Sequence, residues 1–219
     1  MKYYLFNPTE NITVLCDEYI DANDIMNKEP TCEQVGYISF RDDCDIYLKM
    51  AGGEFCGNAT MCAAFLTGKK NVKVFVEGTG LVDVKIDKDK GFVSMPRPYA
   101  TVYKEGYPIV RFKGIDHVII EDESLNPSKI KQWCEGEAMG FMYLNGNNLK
   151  PLVYVKSIDT LFWENSCGSG TSAVGEYRGR RTELIQPCGK VMCYENGILE
   201  GHVELIKTVE LENNNGKEE

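Results

Sequence analysis

A basic excess is absent from this sequence. Its 219 residues include 24 Lys and Arg against 33 Asp and Glu, a formal net charge of −9, and the longest basic run is Arg178-Gly-Arg-Arg181. Proteins whose main partner is a nucleic acid carry clustered positive charge, because they neutralise phosphates. We therefore expect no nucleic-acid partner.

Long hydrophobic runs are also absent. A membrane-spanning helix needs about 20 consecutive apolar residues, and no segment of the sequence approaches that length. The first residues, MKYYLFNP, lack the apolar stretch that is typical of a signal peptide. We expect a cytoplasmic protein with no membrane partner.

The nine cysteines include no Cys-x-x-Cys pair, the spacing typical of zinc sites and dithiol oxidoreductases. Because their number is odd and the sequence shows no export signal, we expect mostly reduced thiols. Histidine is scarce as well: His117 and His202 are the two present, and neither lies in a motif of a Cys-His hydrolase or transferase. We expect no metal and no cofactor.

What the sequence does contain is the alternation of apolar and polar residues that predicts strands, with a few helical segments between them. Two prolines interrupt this pattern at Met95-Pro-Arg-Pro98, and a similar order of elements follows. We predict an α+β fold with two similar halves, residues 1–103 and 104–211, and a flexible polar tail at 212–219. Predicted strands cover 3–6, 13–16, 35–40, 45–49, 72–76, 81–86, 92–95, 117–120, 140–144, 152–155, 161–163, 183–185, 190–194 and 203–206; predicted helices cover 21–28, 58–66, 127–134 and 168–177.

One short phrase occurs twice. EFCGNAT at 54–60 and NSCGSGT at 165–171 share a cysteine, a glycine and a threonine, and each precedes a predicted helix. A cysteine just before a helix lies next to unsatisfied backbone N–H groups and the positive end of the helix dipole, which stabilise a thiolate. The small residues after it leave backbone amides open to an anion such as a carboxylate.

Two such phrases on facing halves would place Cys56 and Cys167 on opposite sides of one bound carbon. One thiolate could then remove the α-proton while the other thiol returns a proton to the opposite face, which inverts the carbon. The helix-end amides would stabilise the charge that develops on the carboxylate. This scheme requires neither metal nor cofactor.

Other interpretations stay open at this point. Cys56 and Cys167 could be packing cysteines, or the facing thiols could form a reversible disulfide in a redox-sensing module that binds a small molecule. A phosphate-binding interpretation of CGSGT lacks the Lys-Ser/Thr pair of a P-loop.

Five stretches carry a resemblance that spans most of the chain. At these residues the sequence resembles the diaminopimelate epimerase superfamily, the cofactor-independent two-cysteine racemases and epimerases, and within it the histidine racemases of bacterial metallophore biosynthesis. The stretches are NPTENITVLC (7–16), TCEQVGYI (31–38), MAGGEFCGNATM (50–61), FWENSCGSGTSAVG (162–175) and QPCGKVM (186–192).

The resemblance implies a diaminopimelate epimerase-like fold, with a mostly antiparallel sheet around a central helix in each half and the active site in the cleft between the halves. It implies that Cys56 and Cys167 are the catalytic pair and that a homodimer is possible. It also implies a small-molecule amino-acid substrate. The substrate-binding residues implied by the resemblance are Asn11, Glu33, Gly57, Asn58, Glu164, Gly168, Ser169 and Gly170.

The resemblance also assigns particular tasks. Glu33 would meet the substrate side chain, and Glu164 would orient the substrate ammonium or support its loop. Diaminopimelate epimerases carry a Glu-Arg pair for the distal carboxylate, where this chain has Ile158 and Asp159, and His117 follows Gly-Ile-Asp rather than Gly-x-Pro. We expect an amino-acid racemase with histidine as the first substrate to test, and another amino acid, including diaminopimelate, as the alternative. The phenazine-biosynthesis group shares the fold but lacks the two-thiol arrangement.

Overall fold

The computed structural model describes residues 1–122 and 124–211, so the predicted tail at 212–219 lies outside the described residues. Within that part the chain has a mixed α+β fold that is rich in sheet, with 17 strands and four α-helices. The strands are β1 (Lys2–Phe6), β2 (Thr13–Cys16), β3 (Gln34–Arg41), β4 (Cys44–Met50), β5 (Asn71–Val76), β6 (Gly80–Asp87), β7 (Lys90–Ser94), β8 (Ala100–Lys104), β9 (Tyr107–Arg111), β10 (Asp116–Ile120), β11 (Ala138–Asn145), β12 (Asn148–Val155), β13 (Thr160–Trp163), β14 (Thr182–Ile185), β15 (Val191–Glu195), β16 (Ile198–His202) and β17 (Leu205–Glu210). The helices are α1 (Ala22–Lys28), α2 (Gly57–Leu66), α3 (Ile130–Trp133), which follows a 3-10 turn at Pro127–Lys129, and α4 (Gly168–Arg178).

The strands pair in an order that occurs twice along the chain. From β1 to β7 the successive pairings are antiparallel, parallel, antiparallel, parallel, antiparallel and antiparallel. The same succession runs from β9 through β10, β11, β12, β14 and β15 to β16, with β13 added beside β12. An antiparallel pairing between β7 and β16 joins the two series, and β17 lies beside β1.

Each series of strands packs on one helix. Helix α2 contacts β2 to β7, and α4 contacts β9 to β11 and β14 to β16. The first eight residues of each helix are buried, and they are Gly, Ala, Ser, Thr, Cys, Val, Asn or Met. Because these side chains are mostly small, the surrounding strands approach the helix backbone closely on several sides.

The starts of α2 and α4 lie against each other. A Cβ on Gly168 at the start of α4 would stand 3.1 Å from the Asn58 Oδ1 of α2 and 2.7 Å from the Leu199 Cδ2 of β16. A Cβ on Gly57 would stand 3.1 Å from the same Leu199 atom. The pairing of β7 with β16 therefore positions Leu199 between the two helix starts, where the repeated cysteine phrases lie.

In the part of the chain that the structure describes, no helix has the length and the apolar character needed to cross a membrane.

Candidate active site

Cys56 and Cys167 each occupy the N-cap position of a largely buried helix. Cys56 has an extended backbone, with a φ of −126°, and its Sγ accepts a hydrogen bond from the Ala59 N–H at 3.3 Å. The Thr60 hydroxyl donates back to the Cys56 carbonyl at 2.7 Å. An N-cap side chain satisfies one of the free N–H groups at a helix start, and here a sulfur atom has that role.

The second phrase reproduces the same local geometry. Cys167 has a φ of −134°, its Sγ accepts from the Gly170 N–H at 3.4 Å, and the Thr171 hydroxyl donates to the Cys167 carbonyl at 2.7 Å. The threonine that ends both phrases is thus the residue that secures the backbone of the N-cap cysteine. In addition, the Cys167 N–H donates to Gln186 Oε1 at 3.0 Å, and Gln186 Nε2 donates to Thr171 Oγ1 at 3.0 Å.

The two cysteines line one cavity of about 30 Å³. Part of the remaining wall consists of apolar residues from distant parts of the chain, such as Met26 of α1, Phe55 and Ile158. Among the substrate-binding residues implied by the resemblance, those that line the cavity are Glu33, Asn58, Glu164, Gly168 and Ser169.

Three further residues from that set stand outside the cavity wall. Asn11 lies behind it, where its Oδ1 accepts from Asn58 Nδ2 at 3.1 Å and its Nδ2 donates to Glu33 Oε2 at 2.7 Å. Gly57 faces Leu199, and Gly170 faces the side chain of Met142. Asn11 therefore holds cavity residues in place, while the two glycines allow close packing around the helix starts.

The cavity is acidic. Glu33, Glu54 and Glu164 line it, and no Lys, Arg or His of the described residues does so. Glu54 Oε2 and Glu164 Oε2 are buried without a hydrogen-bond partner in the described part of the chain. Burial raises the pKa of Glu54 to about 7 and that of Glu164 to about 8.

Burial also dominates the ionisation of the thiols. It raises the pKa of Cys56 above its ordinary value, although the Ala59 N–H lowers it, and the charge of Glu164 raises it further. The pKa of Cys167 is likewise raised, first by burial and then by Glu164, against the opposing effect of the Gly170 N–H. The helix ends stabilise a thiolate, as the sequence suggested, but burial outweighs them, so both sulfurs are thiols near neutral pH.

The cavity residues that were not identified from sequence include Gln34 and Glu54. Gln34 stands next to Glu33, and Glu54 lies inside the first repeated phrase, so a survey of polar residues within the quoted stretches would have included both. Gln34 Oε1 accepts from the Cys56 S–H at 2.8 Å, and its Nε2 donates to Glu164 Oε1 at 3.3 Å. The contact to Glu164 joins residues 130 positions apart, which no local pattern predicts.

Two other positions singled out in the sequence have different surroundings. His117 is fully buried on β10, packs edge-on against Phe112 and does not line the cavity; burial lowers its pKa to about 3, so it is a neutral core residue. Ile158 lines the cavity, while the exposed Asp159 pairs with Lys131 at 2.7 Å. The position corresponding to the arginine of diaminopimelate epimerases therefore supplies no cation to the cavity.

Comparisons with known proteins identify a family and several similar proteins. The model of a family described as histidine racemase CntK N-terminal domain matches residues 1–194. A histidine racemase of Fusobacterium nucleatum subsp. nucleatum (strain ATCC 25586) is 31% identical, with 94% of each chain covered. A histidine racemase of Staphylococcus aureus (strain Mu50) is 28% identical, with 95% of this chain and 96% of that protein covered.

Solved structures with similar folds include a predicted epimerase from Pseudomonas aeruginosa, with a TM-score of 0.66, 13% identity, and coverage of 96% of this chain and 98% of that one. A probable proline racemase from Agrobacterium radiobacter K84 has a TM-score of 0.61 at 10% identity, with 97% of this chain and 93% of that one covered. At these identities the likeness concerns the fold alone.

Proposed function

This chain belongs to the histidine racemase family and is therefore an isomerase; from that premise we propose that it inverts the α-carbon of histidine by proton transfer between Cys56 and Cys167. The observation that carries this proposal is one acidic cavity lined by two N-cap thiols from separate helices. A single packing cysteine would need neither the second thiol nor the carboxyls around it.

The α-carboxylate of the substrate would bind at the two helix starts. The first N–H groups of a helix lack partners within it, and the helix dipole adds positive potential there. Gly57, Asn58, Gly168 and Ser169 occupy these positions, and Gly170 closes the turn beneath Cys167. As the α-proton leaves, negative charge spreads onto the carboxylate, and the same dipoles stabilise it more strongly than in the ground state.

The two thiols would exchange roles with the direction of reaction. A thiolate on one face removes the α-proton, and the thiol on the other face donates its proton to the carbanionic carbon. After one inversion the first sulfur carries a proton and the second has lost one. The scheme needs no group beyond the two cysteines to carry the proton to and from carbon.

The carboxyls favour a substrate rich in hydrogen-bond donors. Glu33, Glu54 and Glu164 have no cation beside them in the cavity, and two of them keep an oxygen without a partner among the described residues. Histidine supplies an α-ammonium and an imidazole N–H to such oxygens. A substrate with a second carboxylate would meet repulsion instead, which disfavours diaminopimelate.

The finer features of the fold are part of the same proposal. We infer a diaminopimelate epimerase-like fold with halves at 1–103 and 104–211, which the repeated order of strand pairings supports. The cytoplasmic location and the homodimer remain predictions.

The decisive experiment is racemisation of L-histidine in deuterated water by the reduced protein without added cofactor. Because each thiol carries one exchangeable proton, early D-histidine should contain deuterium at Cα while the remaining L-histidine keeps hydrogen. Cys56→Ala and Cys167→Ala should each abolish inversion. Cys62→Ala is the matched control, since Cys62 is buried in α2 but does not line the cavity.

Full activity in either cavity-cysteine variant would rule out the two-thiol mechanism. A redox-sensing module would show thiol oxidation but no exchange of the α-proton. A panel of L-amino acids in the same assay tests the substrate, and faster exchange on an acidic amino acid would contradict the role given to the carboxyls.

A further inference from the structure

Two hydrogen bonds join the Cys56 thiol to the Glu164 carboxyl through Gln34. The Cys56 S–H donates to Gln34 Oε1 at 2.8 Å, and Gln34 Nε2 donates to Glu164 Oε1 at 3.3 Å. The Cys167 thiol lines the same cavity, and the charge of Glu164 raises the pKa of that thiol. Cys56, Gln34 and Glu164, which we call the Gln34 chain, all line the cavity.

The two-thiol mechanism requires a thiolate, yet burial favours the thiol at both sulfurs. The proton that a thiol loses therefore needs an acceptor inside the site. In its carboxylate form Glu164 is such an acceptor: it is 6% exposed, one of its oxygens has no partner among the described residues, and the other accepts from Gln34 Nε2. Its charge state should consequently be linked to that of each thiol.

The amide of Gln34 makes the link to Cys56 directional. A primary amide has a carbonyl that only accepts and an NH₂ that only donates. While Glu164 is a carboxylate, it can only accept, so the NH₂ of Gln34 must point towards it. The carbonyl of Gln34 then faces Cys56, and because a carbonyl only accepts, it stabilises the thiol of Cys56 and not the thiolate. Each thiol accepts from one helix N–H, but Cys167 has the Ser169 hydroxyl nearby where Cys56 has the Gln34 carbonyl, so the two thiols have unequal surroundings.

We propose that Gln34 is a positioning residue that ties the protonation of Cys56 to that of Glu164. With Glu164 ionised, the amide carbonyl accepts from the Cys56 thiol. With Glu164 protonated, its O–H donates to the amide carbonyl, and the reversed amide presents its N–H to a Cys56 thiolate. This proposal rests on the proposed two-thiol function and adds the residue that selects which sulfur holds the proton.

The proton balance of this change is simple. The S–H bond of Cys56 breaks and an O–H bond forms on Glu164, so Cys56, Gln34 and Glu164 together keep a charge of −1. The amide carries no proton; it only exchanges its donor and acceptor ends, and the cavity of about 30 Å³ has room for a water molecule that would carry the proton. After an inversion in which Cys56 has protonated the substrate, the reversed amide stabilises the new thiolate until the site resets.

The test follows the ionisation of Cys56 directly in the unliganded protein, from the ¹³Cβ shift of labelled cysteine as pH is raised. Glu164→Gln removes the carboxylate that holds the amide, so the apparent pKa of Cys56 should fall by about one unit, a tenfold gain in thiolate. In a Gln34→Met background, Glu164→Gln should lower the apparent pKa of Cys56 by less than half as much, because only the through-space effect of the Glu164 charge is then removed. Gln34→Glu should act in the opposite direction and raise it.

Asn165→Ala is the matched control, because Asn165 donates to Glu33 and not to the Gln34 chain; the effect of Glu164→Gln should be unchanged in that background. An equal effect of Glu164→Gln in the wild-type and Gln34→Met backgrounds would overturn the proposal, as would a lowered pKa of Cys56 in Gln34→Glu.

The racemase assay separates this proposal from the proposed function. If the wild-type protein fails to racemise histidine, but the effect of Glu164→Gln on the pKa of Cys56 depends on Gln34, then the proposed function is wrong and the positioning role of Gln34 stands. If it racemises histidine and the coupling bypasses Gln34, the positioning role is wrong.

Discussion

Glu54 shows at the level of a single residue how a binding cavity reduces stability. Its carboxyl is 8% exposed, one oxygen has no partner among the described residues, and burial, together with the nearby Glu137, raises its pKa to about 7. An unpartnered buried carboxylate is unfavourable, and the cost disappears when a ligand donates a hydrogen bond to it. The same reasoning applies to Glu164 in the same cavity.

The pH dependence of stability provides a test at Glu54. Below the ordinary carboxyl pKa of about 4.5 both folded and unfolded chains hold the proton, so its contribution to stability is fully present. As pH rises towards 7 the unfolded chain releases the proton first, and the free energy of unfolding falls. Glu54→Gln should therefore be about 2 to 3 kcal/mol more stable than wild type at about pH 9 and nearly equal to it at about pH 4.

Urea unfolding at the two pH values measures this difference. If the free energies of unfolding of Glu54→Gln and wild type differed by the same amount at both pH values, the assignment of a buried carboxyl with a raised pKa would be wrong. The variant should also bind histidine more weakly.

At the level of elements, helix α4 depends on glycine for two separate reasons. A Cβ on Gly170 would stand 2.1 Å from Met142 Sδ and 3.1 Å from Cys167 Sγ, so the methyl group would press on the thiol itself. A Cβ on Gly175, further along the same helix, would meet the ring of Tyr194 at 2.3 Å. One glycine thus protects the site, and the other protects helix-to-strand packing.

Alanine at these two positions separates activity from stability. Gly170→Ala should lose about 1 to 3 kcal/mol of stability through overpacking, and its kcat should fall at least tenfold because a small displacement of a reacting group is costly. Gly175→Ala should lose a similar amount of stability and keep most of its kcat. Thermal unfolding and racemase assays on the folded proteins check both, and equal kcat values in the two variants would contradict the placement of Gly170.

Local pattern predicted most elements but not those that depend on distant neighbours. The strand at 13–16 and helices α2 and α4 followed from alternation and from the repeated phrases. Strands β8 and β9 were not predicted. Proline normally argues against a strand, but β9, which pairs with β8, accommodates Pro108 near its start. The strand predicted at 203–206 overlaps only the start of β17, and β16 was missed, since it contains Gly201, where a Cβ would lie 2.9 Å from Met61 Cε.

The candidate site shows the same division. Cys56 and Cys167 were visible because their surroundings are repeated in sequence. Gln34 and Glu54 were not, because their importance arises from partners that approach only after folding, such as Glu164 for Gln34. The sequence led us to expect helix ends that lower the pKa values of the two thiols, but burial raises them by more. Burial depends on how the whole chain folds around the cavity, so the sequence pattern did not predict it.

At the scale of the whole molecule, the site exists because two series of strands meet at β7 and β16. Met192, Tyr194 and Leu199 come from the later series, yet they belong to the core that surrounds α2. Leu199 is fully buried and reaches the starts of both α2 and α4. Its side chain therefore sets the separation of the helix ends that carry the two thiols.

Leu199→Ala tests this arrangement. Truncation should cost about 2 to 5 kcal/mol of stability, as for other buried leucines, and the cavity it leaves should let the helix starts shift, lowering the kcat for histidine racemisation about tenfold or more. Leu125→Ala is the comparison, because Leu125 is also buried but belongs to the core cluster around Trp133, away from both helix starts. It should lose comparable stability while its folded molecules keep near wild-type kcat, since the geometry of the thiol pair is untouched. Equal losses of kcat in the two variants, measured well below their unfolding temperatures, would mean that Leu199 contributes to general stability and not to the alignment of the two halves of the site.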